Sequence, residues 1–141
     1  MTDNDLLQIE RAIGRPLSAA VRRFYLAYPQ ELWTTTRAMG SDPEGEPCLE
    51  RPADYELSDS AEAIIAMNAS APTGLQPLDW TSRMLVIGAG GCGEIYWVDL
   101  DAEHGPVYRF ESGEKAEYSE EVADSLEQFA RNLIESYGEG A

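Results

Sequence analysis

Apolar residues near the N-terminus recur three and four positions apart, as they do on one face of a helix. The pattern predicts a first helix over residues 5–13, closed by Gly14 in a left-handed cap, and a second helix that Ser18 caps and Pro29 ends. An N-terminal pair of short helices is therefore expected. Its predicted buried positions are Leu6, Ile9, Ile13, Val21, Phe24, Tyr25 and Tyr28.

The residues after the helix pair predict a short strand, a loop and a third helix, in that order. Residues 32–36 are aromatic or β-branched for the most part and predict a short strand. Residues 38–55 are rich in proline, glycine and acidic side chains, which is typical of an exposed loop suited to partner contacts; a strand near the end of this segment is the alternative. A third helix is then predicted, with Ser58 or Asp59 as its cap.

The second half of the chain reads as strands followed by a closing helix. Apolar runs at 84–87, 94–100 and 107–110 are separated by turn residues and predict an antiparallel meander. Ser119 is predicted to cap the last helix, whose apolar positions are Val122, Leu126, Phe129 and Leu133. The sequence thus predicts one α+β domain over residues 1–141, in which a central, mainly antiparallel sheet is flanked by the N-terminal helix pair and the C-terminal helix.

The charge of the chain is strongly negative and unevenly distributed. Acidic residues number 26 against 10 basic ones, a formal net charge of -16. Residues 1–37 contain four acidic and five basic side chains, so the excess lies in the remainder. Such a field repels nucleic acid and anionic lipid and attracts basic proteins. Solubility alone is the alternative explanation.

The localisation expected from the sequence is the cytoplasm. The first residues lack the basic start and apolar run of a secretory signal, and no apolar stretch is long enough for a membrane span. Cys48 and Cys92 are too few to suggest a disulfide framework, so we expect free thiols.

Gly88 to Gly93 match the GxGxxG dinucleotide fingerprint, but the context does not fit. That fingerprint requires a helix directly after the glycines, because the amides of the helix N-terminus hold the pyrophosphate. Here strand-forming residues follow from Glu94 onward. We therefore predict a hairpin connection, with no cofactor.

No catalytic or metal site is predicted either. The acids at 99–103 resemble a calcium loop only in part, because His104 and Phe110 occupy the positions where an EF-hand needs glycine and glutamate. His104 is the only histidine, and no nucleophile signature accompanies it. The sequence predicts a binding domain and not an enzyme.

Two stretches of the chain resemble the SUKH superfamily, which includes yeast cell-wall-assembly regulators and many bacterial immunity proteins. The first is Ile9-Glu10-x-x-Ile13-Gly14-x-x-Leu17-x-x-x-Val21-x-x-Phe24-Tyr25. The second comprises Trp80, Met84–Gly88, Gly93–Asp99, Gly105–Tyr108, Ala123–Leu126 and Phe129. Glu94 stands where that family usually has aspartate.

The resemblance implies an immunity protein that neutralises a bacterial toxin, such as a nuclease or deaminase, through an acidic surface. The partner would be a basic toxin domain, with no direct contact to nucleic acid or membrane. The alternative is a regulatory domain with a different protein partner, and the oligomeric state stays open. The expected contact residues, each of which could instead be a solvated surface position, are Asp42, Glu44, Glu46, Glu94, Asp99, Asp101 and Glu103.

Overall fold

Helices from both halves of the chain pack with a four-stranded antiparallel sheet. The computed structural model describes residues 1–39, 56–69, 76–90, 93–102 and 104–139. In chain order the elements are α1 (Asp3–Ile13), α2 (Ala19–Leu26), α3 (Gln30–Met39), α4 (Ala61–Met67), β1 (Met84–Ala89), β2 (Glu94–Asp99), β3 (Val107–Glu111), a 3₁₀ turn (Ala116–Tyr118), β4 (Glu120–Ala123) and α5 (Leu126–Glu139). The predicted α+β class is confirmed.

The N-terminal helix pair forms as predicted and is held by a partly buried carboxylate. Gly14 closes α1 in the left-handed conformation, with φ of 77°. Ser18 caps α2 by accepting a hydrogen bond from the amide of Val21. Glu10 of α1 accepts bonds from the Leu17 amide at 2.8 Å and the Arg22 guanidinium at 3.0 Å. This carboxylate therefore fixes the turn between the two helices.

The predicted strand at residues 32–36 is wrong, because this segment belongs to α3. Its threonines satisfy their hydroxyls inside the helix: Thr35 donates to the Glu31 carbonyl at 2.7 Å and Thr36 to the Leu32 carbonyl at 3.0 Å. Leu32 is fully buried, and α3 packs against α5. Tertiary packing thus overrides the β-propensity of the threonines. The helix also extends past residue 38, where an exposed loop was predicted to begin.

The predicted helix after residue 58 exists, but its cap lies later. Ser60 accepts the bond from the Ala63 amide, whereas Ser58 and Asp59 precede the helix. At the other end Asn68 is the C-terminal cap and is buried. α4 contacts α1 on one side and β1 on the other.

The sheet is an antiparallel meander in the order β1-β2-β3-β4. Each strand pairs with its neighbour in sequence, with Tyr96 of β2 opposite Arg109 of β3. The rings of Tyr96 and Phe129 lie 5.1 Å apart, so α5 covers that face. The opposite face carries Trp97, stacked on Tyr108 at 4.7 Å.

The start of the last helix was wrongly predicted at Ser119. Residues Glu120–Ala123 form β4, which pairs with β3, and α5 begins only at Leu126. Ser125 takes the capping role by accepting a bond from the Gln128 amide at 3.1 Å. Ser119 instead accepts a bond from the indole nitrogen of Trp97 at 3.0 Å.

The glycine-rich segment is a hairpin connection, as predicted. The amide of Gly90 donates to the carbonyl of Glu94 at 2.8 Å, and Gly93 has φ of 94°. β2 then runs extended from Glu94, so a strand follows the glycines where the dinucleotide fingerprint requires a helix. None of the helices in the described ranges combines the length and apolar character that crossing a bilayer requires.

Candidate partner-binding surface

The acidic side chains expected to contact a partner are not gathered in one place. Four lie outside the described residues: Asp42, Glu44, Glu46 and Glu103. Of the others, Glu94 begins β2 and Asp99 ends it, so roughly 16 Å of extended strand separates them. Asp101 lies in the turn after β2, close to Asp99. The described candidates therefore form two groups at opposite ends of this strand.

The group at the end of β2 is paired with arginines. Asp101 accepts a bond from Arg15 at 2.8 Å, and Asp99 lies 3.8 Å from the guanidinium of Arg83. Asp99 also accepts from the Asp101 amide at 2.8 Å. Exposed ion pairs of this kind contribute at most about 1 kcal/mol to stability. Their consequence here is that each arginine cancels an acidic charge which a basic partner would otherwise meet.

Glu94, at the other end of β2, belongs to a group that keeps an acidic excess. It lies opposite Glu111 across the β2–β3 ladder. Among the described residues of this group the cation is Arg109, with its guanidinium 3.5 Å from Glu111 and 3.1 Å from Glu120. One arginine is thus shared among several carboxylates, and like charges facing each other across strands cost stability. A basic partner at this end would relieve that repulsion.

A buried tyrosine lies beneath this group. Burial raises the pKa of the Tyr96 phenol, the carboxylates of Glu56 and Glu94 raise it further, and the Arg109 guanidinium opposes the shift. Tyr137 of α5 donates a hydrogen bond to Glu56, which joins the helix to this end of the sheet. A phenol whose ionisation is opposed in this way is no activated nucleophile.

One exposed acidic surface of the described residues was not predicted from the sequence. It lies on β3, β4 and their connection, residues 107–123, which we call the acidic hairpin. This segment contains one arginine and one lysine. Its five glutamates are all exposed: Glu111, Glu114, Glu117, Glu120 and Glu121. Residues Glu120–Ala123 were predicted as part of a helix capped by Ser119, whereas they form β4 of this surface.

Two large apolar side chains stand out among these carboxylates. Tyr118 is 66% exposed and Leu78 is 72% exposed. The Leu78 amide donates to the Glu114 carbonyl at 3.0 Å, and the Ala116 amide donates to the Asp79 carboxylate. These bonds attach the segment around Leu78 to the acidic hairpin. Exposed apolar residues within a charged rim are typical of protein interfaces.

The helical layer offers a concave surface of different character. A groove of about 370 Å³ lies between α2, the start of α3 and α5. It is lined by Arg23 and Arg131 and also by Glu31 and Glu127, so both signs of charge are present. None of its lining residues belongs to the glycine hairpin. Within the described ranges, no group of three or more histidine, cysteine or carboxylate side chains is placed to hold a metal ion.

Comparison with known proteins assigns the family. The model of the SMI1 / KNR4 family (SUKH-1) matches residues 1–132. The chain matches no curated protein and no solved structure. The match covers both stretches that resemble the SUKH superfamily, and the helix pair, the meander and the start of α5 all lie inside it. The chain therefore belongs to the SMI1 / KNR4 (SUKH-1) family.

Proposed function

We propose that this chain is a protein-binding domain that serves as an immunity protein and neutralises a basic bacterial toxin domain, such as a nuclease or deaminase. The observation that carries the proposal is the acidic hairpin, in which the exposed Tyr118 and the adjoining Leu78 stand among five exposed glutamates. Membership of the SUKH-1 family fits a protein-interaction or immunity-type role.

The chemistry of the hairpin suits a cationic partner. An enzyme that acts on nucleic acid must present lysines and arginines to phosphates, and the same cations attract the exposed carboxylates of the acidic hairpin. Long-range attraction raises the association rate, whereas a desolvated aromatic side chain slows dissociation. Tyr118 would supply such an anchor, and the glutamates around it would select the partner.

The acidic residues that were predicted from the sequence to contact a partner contribute unequally in this proposal. Glu94 adjoins the acidic hairpin through its pairing with Glu111 and belongs to the proposed surface. Asp99 and Asp101 lie near arginines at the far end of β2 and would contribute less. Four acids lie outside the described residues and stay in the proposal as contact residues: Asp42, Glu44, Glu46 and Glu103.

The proposed binding requires no chemistry from the chain itself. We propose a single domain over residues 1–141 that acts without catalysis or cofactor in the cytoplasm, where a toxin would act on the cell that makes it. Inhibition would follow from occupying the surface with which the toxin holds its substrate. The oligomeric state does not enter this argument.

The test is co-expression with the toxin-like product of a neighbouring gene. The chain should relieve lethality and bind the purified toxin domain with an affinity that falls steeply with salt. Tyr118→Ala should weaken binding by about thirtyfold, equivalent to about 2 kcal/mol. Glu117→Lys should slow association, whereas Glu135→Lys, a matched charge reversal at an exposed position of α5, should not.

Two outcomes would contradict parts of the proposal. Equal effects of Glu117→Lys and Glu135→Lys would mean that net charge matters and the acidic hairpin does not. Salt-dependent binding of a non-toxin protein, without relief of any toxicity, would favour the alternative of a regulatory interaction domain.

A further inference from the structure

The outer edge of β1 is closed by the protein's own groups. The side-chain amide of Asn68 donates to the Val86 carbonyl at 2.7 Å, and its oxygen accepts from the Val86 amide at 2.8 Å. Next to it, the Ile87 carbonyl accepts from the Ser58 amide at 2.7 Å. An asparagine side chain thus takes the place of a neighbouring strand. No further strand can pair at these positions without displacing it.

The opposite edge, β4, is left open. β4 pairs with β3 along one side only. In the part of the chain that the structure describes, no backbone or side-chain group bonds to the outward amides and carbonyls of residues 120–122. Glu120 and Glu121 are exposed and Val122 is half-buried. A short row of free backbone donors and acceptors therefore faces outward beside two carboxylates.

The two carboxylates project from opposite faces of the sheet. Glu120 pairs with Arg109 and lies on the face of Tyr96, whereas Glu121 pairs with Tyr108 on the other face. Charged, short edge strands discourage unwanted pairing. These charges repel an acidic strand, including a second copy of β4, and they leave one class of strand favoured. The favoured strand carries one cation on each face of the sheet, next to Glu120 and Glu121. Because successive side chains of a strand point to opposite faces, two successive basic residues are required.

We propose that β4 receives an extended basic segment of a partner protein as a fifth strand of the sheet. Main-chain hydrogen bonds along residues 120–122 would supply affinity, as in other cases of strand addition. Two adjacent lysines or arginines of the segment would supply specificity: one would meet Glu121, and the other would share Glu120 with the guanidinium of Arg109. The proposal rests on the proposed function in one respect, the basic character of the partner.

The test uses synthetic peptides and the full chain. One decapeptide carries a central Lys-Lys pair flanked by threonine and valine, a second replaces the pair with Glu-Glu, and a third is the first peptide N-methylated at alternate residues. The Lys-Lys peptide should slow amide hydrogen exchange in β4 by about tenfold or more at saturation. The Glu-Glu and N-methylated peptides should leave β4 exchange unchanged.

A charge reversal in the chain tests the specificity. Glu121→Lys should weaken binding of the Lys-Lys peptide by about tenfold, whereas Glu135→Lys should leave it unchanged. Binding without slower β4 exchange, equal binding of the N-methylated peptide, or no binding of any peptide would each overturn the strand addition. Relief of toxicity does not depend on these peptides, so the proposed function would stand or fall on its own experiment.

Discussion

Replacing Asn68 with alanine is expected to destabilise the fold by about 3 kcal/mol. The side chain is buried and makes three hydrogen bonds, two of them to the backbone of Val86. The third reaches the Ile64 carbonyl, which also accepts from the Asn68 amide at 3.1 Å and so keeps a partner after the substitution. The loss therefore falls on Val86, which is fully buried.

The magnitude follows from the two groups left without partners. A buried backbone donor or acceptor that loses its hydrogen bond costs about 1 to 3 kcal/mol. Two such groups cost about 4 kcal/mol, and a water molecule that enters the vacated space would recover part of it. Because domains of this size unfold at about 5 to 15 kcal/mol, the substitution would remove a large fraction of the stability.

Urea unfolding followed by tryptophan fluorescence would measure the difference. Asn132→Ala is the matched control, since Asn132 is exposed on α5 and accepts one bond from Gln128 at 2.8 Å. That substitution should change stability by less than about 0.5 kcal/mol. A loss below about 1 kcal/mol for Asn68→Ala would refute the idea that this amide is needed to close the edge of β1.

Three smaller perturbations test other parts of the structure. Gly14→Ala should lower the free energy of unfolding by about 1 to 2 kcal/mol, because φ is 77° at this position. Gly105→Ala is the control and should leave thermal unfolding unchanged, because φ is not positive there and an added methyl group meets nothing within 4 Å. Hydrogen bonds from Thr2 lower the pKa of the Asp5 carboxyl in the folded protein. The carboxylate should therefore stabilise the fold above pH 3.8, and this contribution should disappear as the pH falls through the lowered pKa. Asp5→Asn should abolish this pH dependence when the free energy of unfolding is measured across an acid titration. Burial raises the pKa of the Tyr96 phenol above 10.0, so the contribution of the neutral phenol to stability should be complete below pH 10.0 and lost as the pH rises through the raised pKa. An ultraviolet difference titration of the wild-type chain against Tyr96→Phe should show one phenol that ionises later than the others.

The elements that the sequence predicted well are those in which local pattern and tertiary packing agree. β2 follows the glycines as a strand because aromatic and β-branched residues suit a pleated surface buried on both sides. Gly14 closes α1 because only glycine adopts the left-handed conformation at little cost. In both cases the same residues also satisfy the packing, so the local signal was sufficient.

The errors lie where contacts distant in sequence decide the outcome. α3 was mistaken for a strand because its threonines favour β structure, but their hydroxyls bond within the helix and Leu32 is buried where α3 meets α5. β4 was mistaken for the start of a helix because Val122 and Leu126 have helical spacing. Pairing with β3 determines its conformation, and no local pattern reports such pairing.

The negative charge of the candidate surface could be predicted from the sequence, but its position on the fold could not. The acidic excess was evident from composition, whereas the exposure of Tyr118 and its place among the glutamates depend on the hairpin. Similarly, the arginines beside Asp99 and Asp101, which are Arg83 and Arg15, come from distant parts of the chain, so no local pattern indicates these pairs.

The order of the sheet has a consequence for how the chain acquires its structure. Every strand pairs with the one next to it in sequence, so the meander needs only short loop closures. The contact between α3 and α5, in contrast, joins distant parts of the chain and carries a larger closure entropy. We expect amides of strands β1, β2 and β3 to become protected first in pulse-labelled refolding, with the helices docking afterwards.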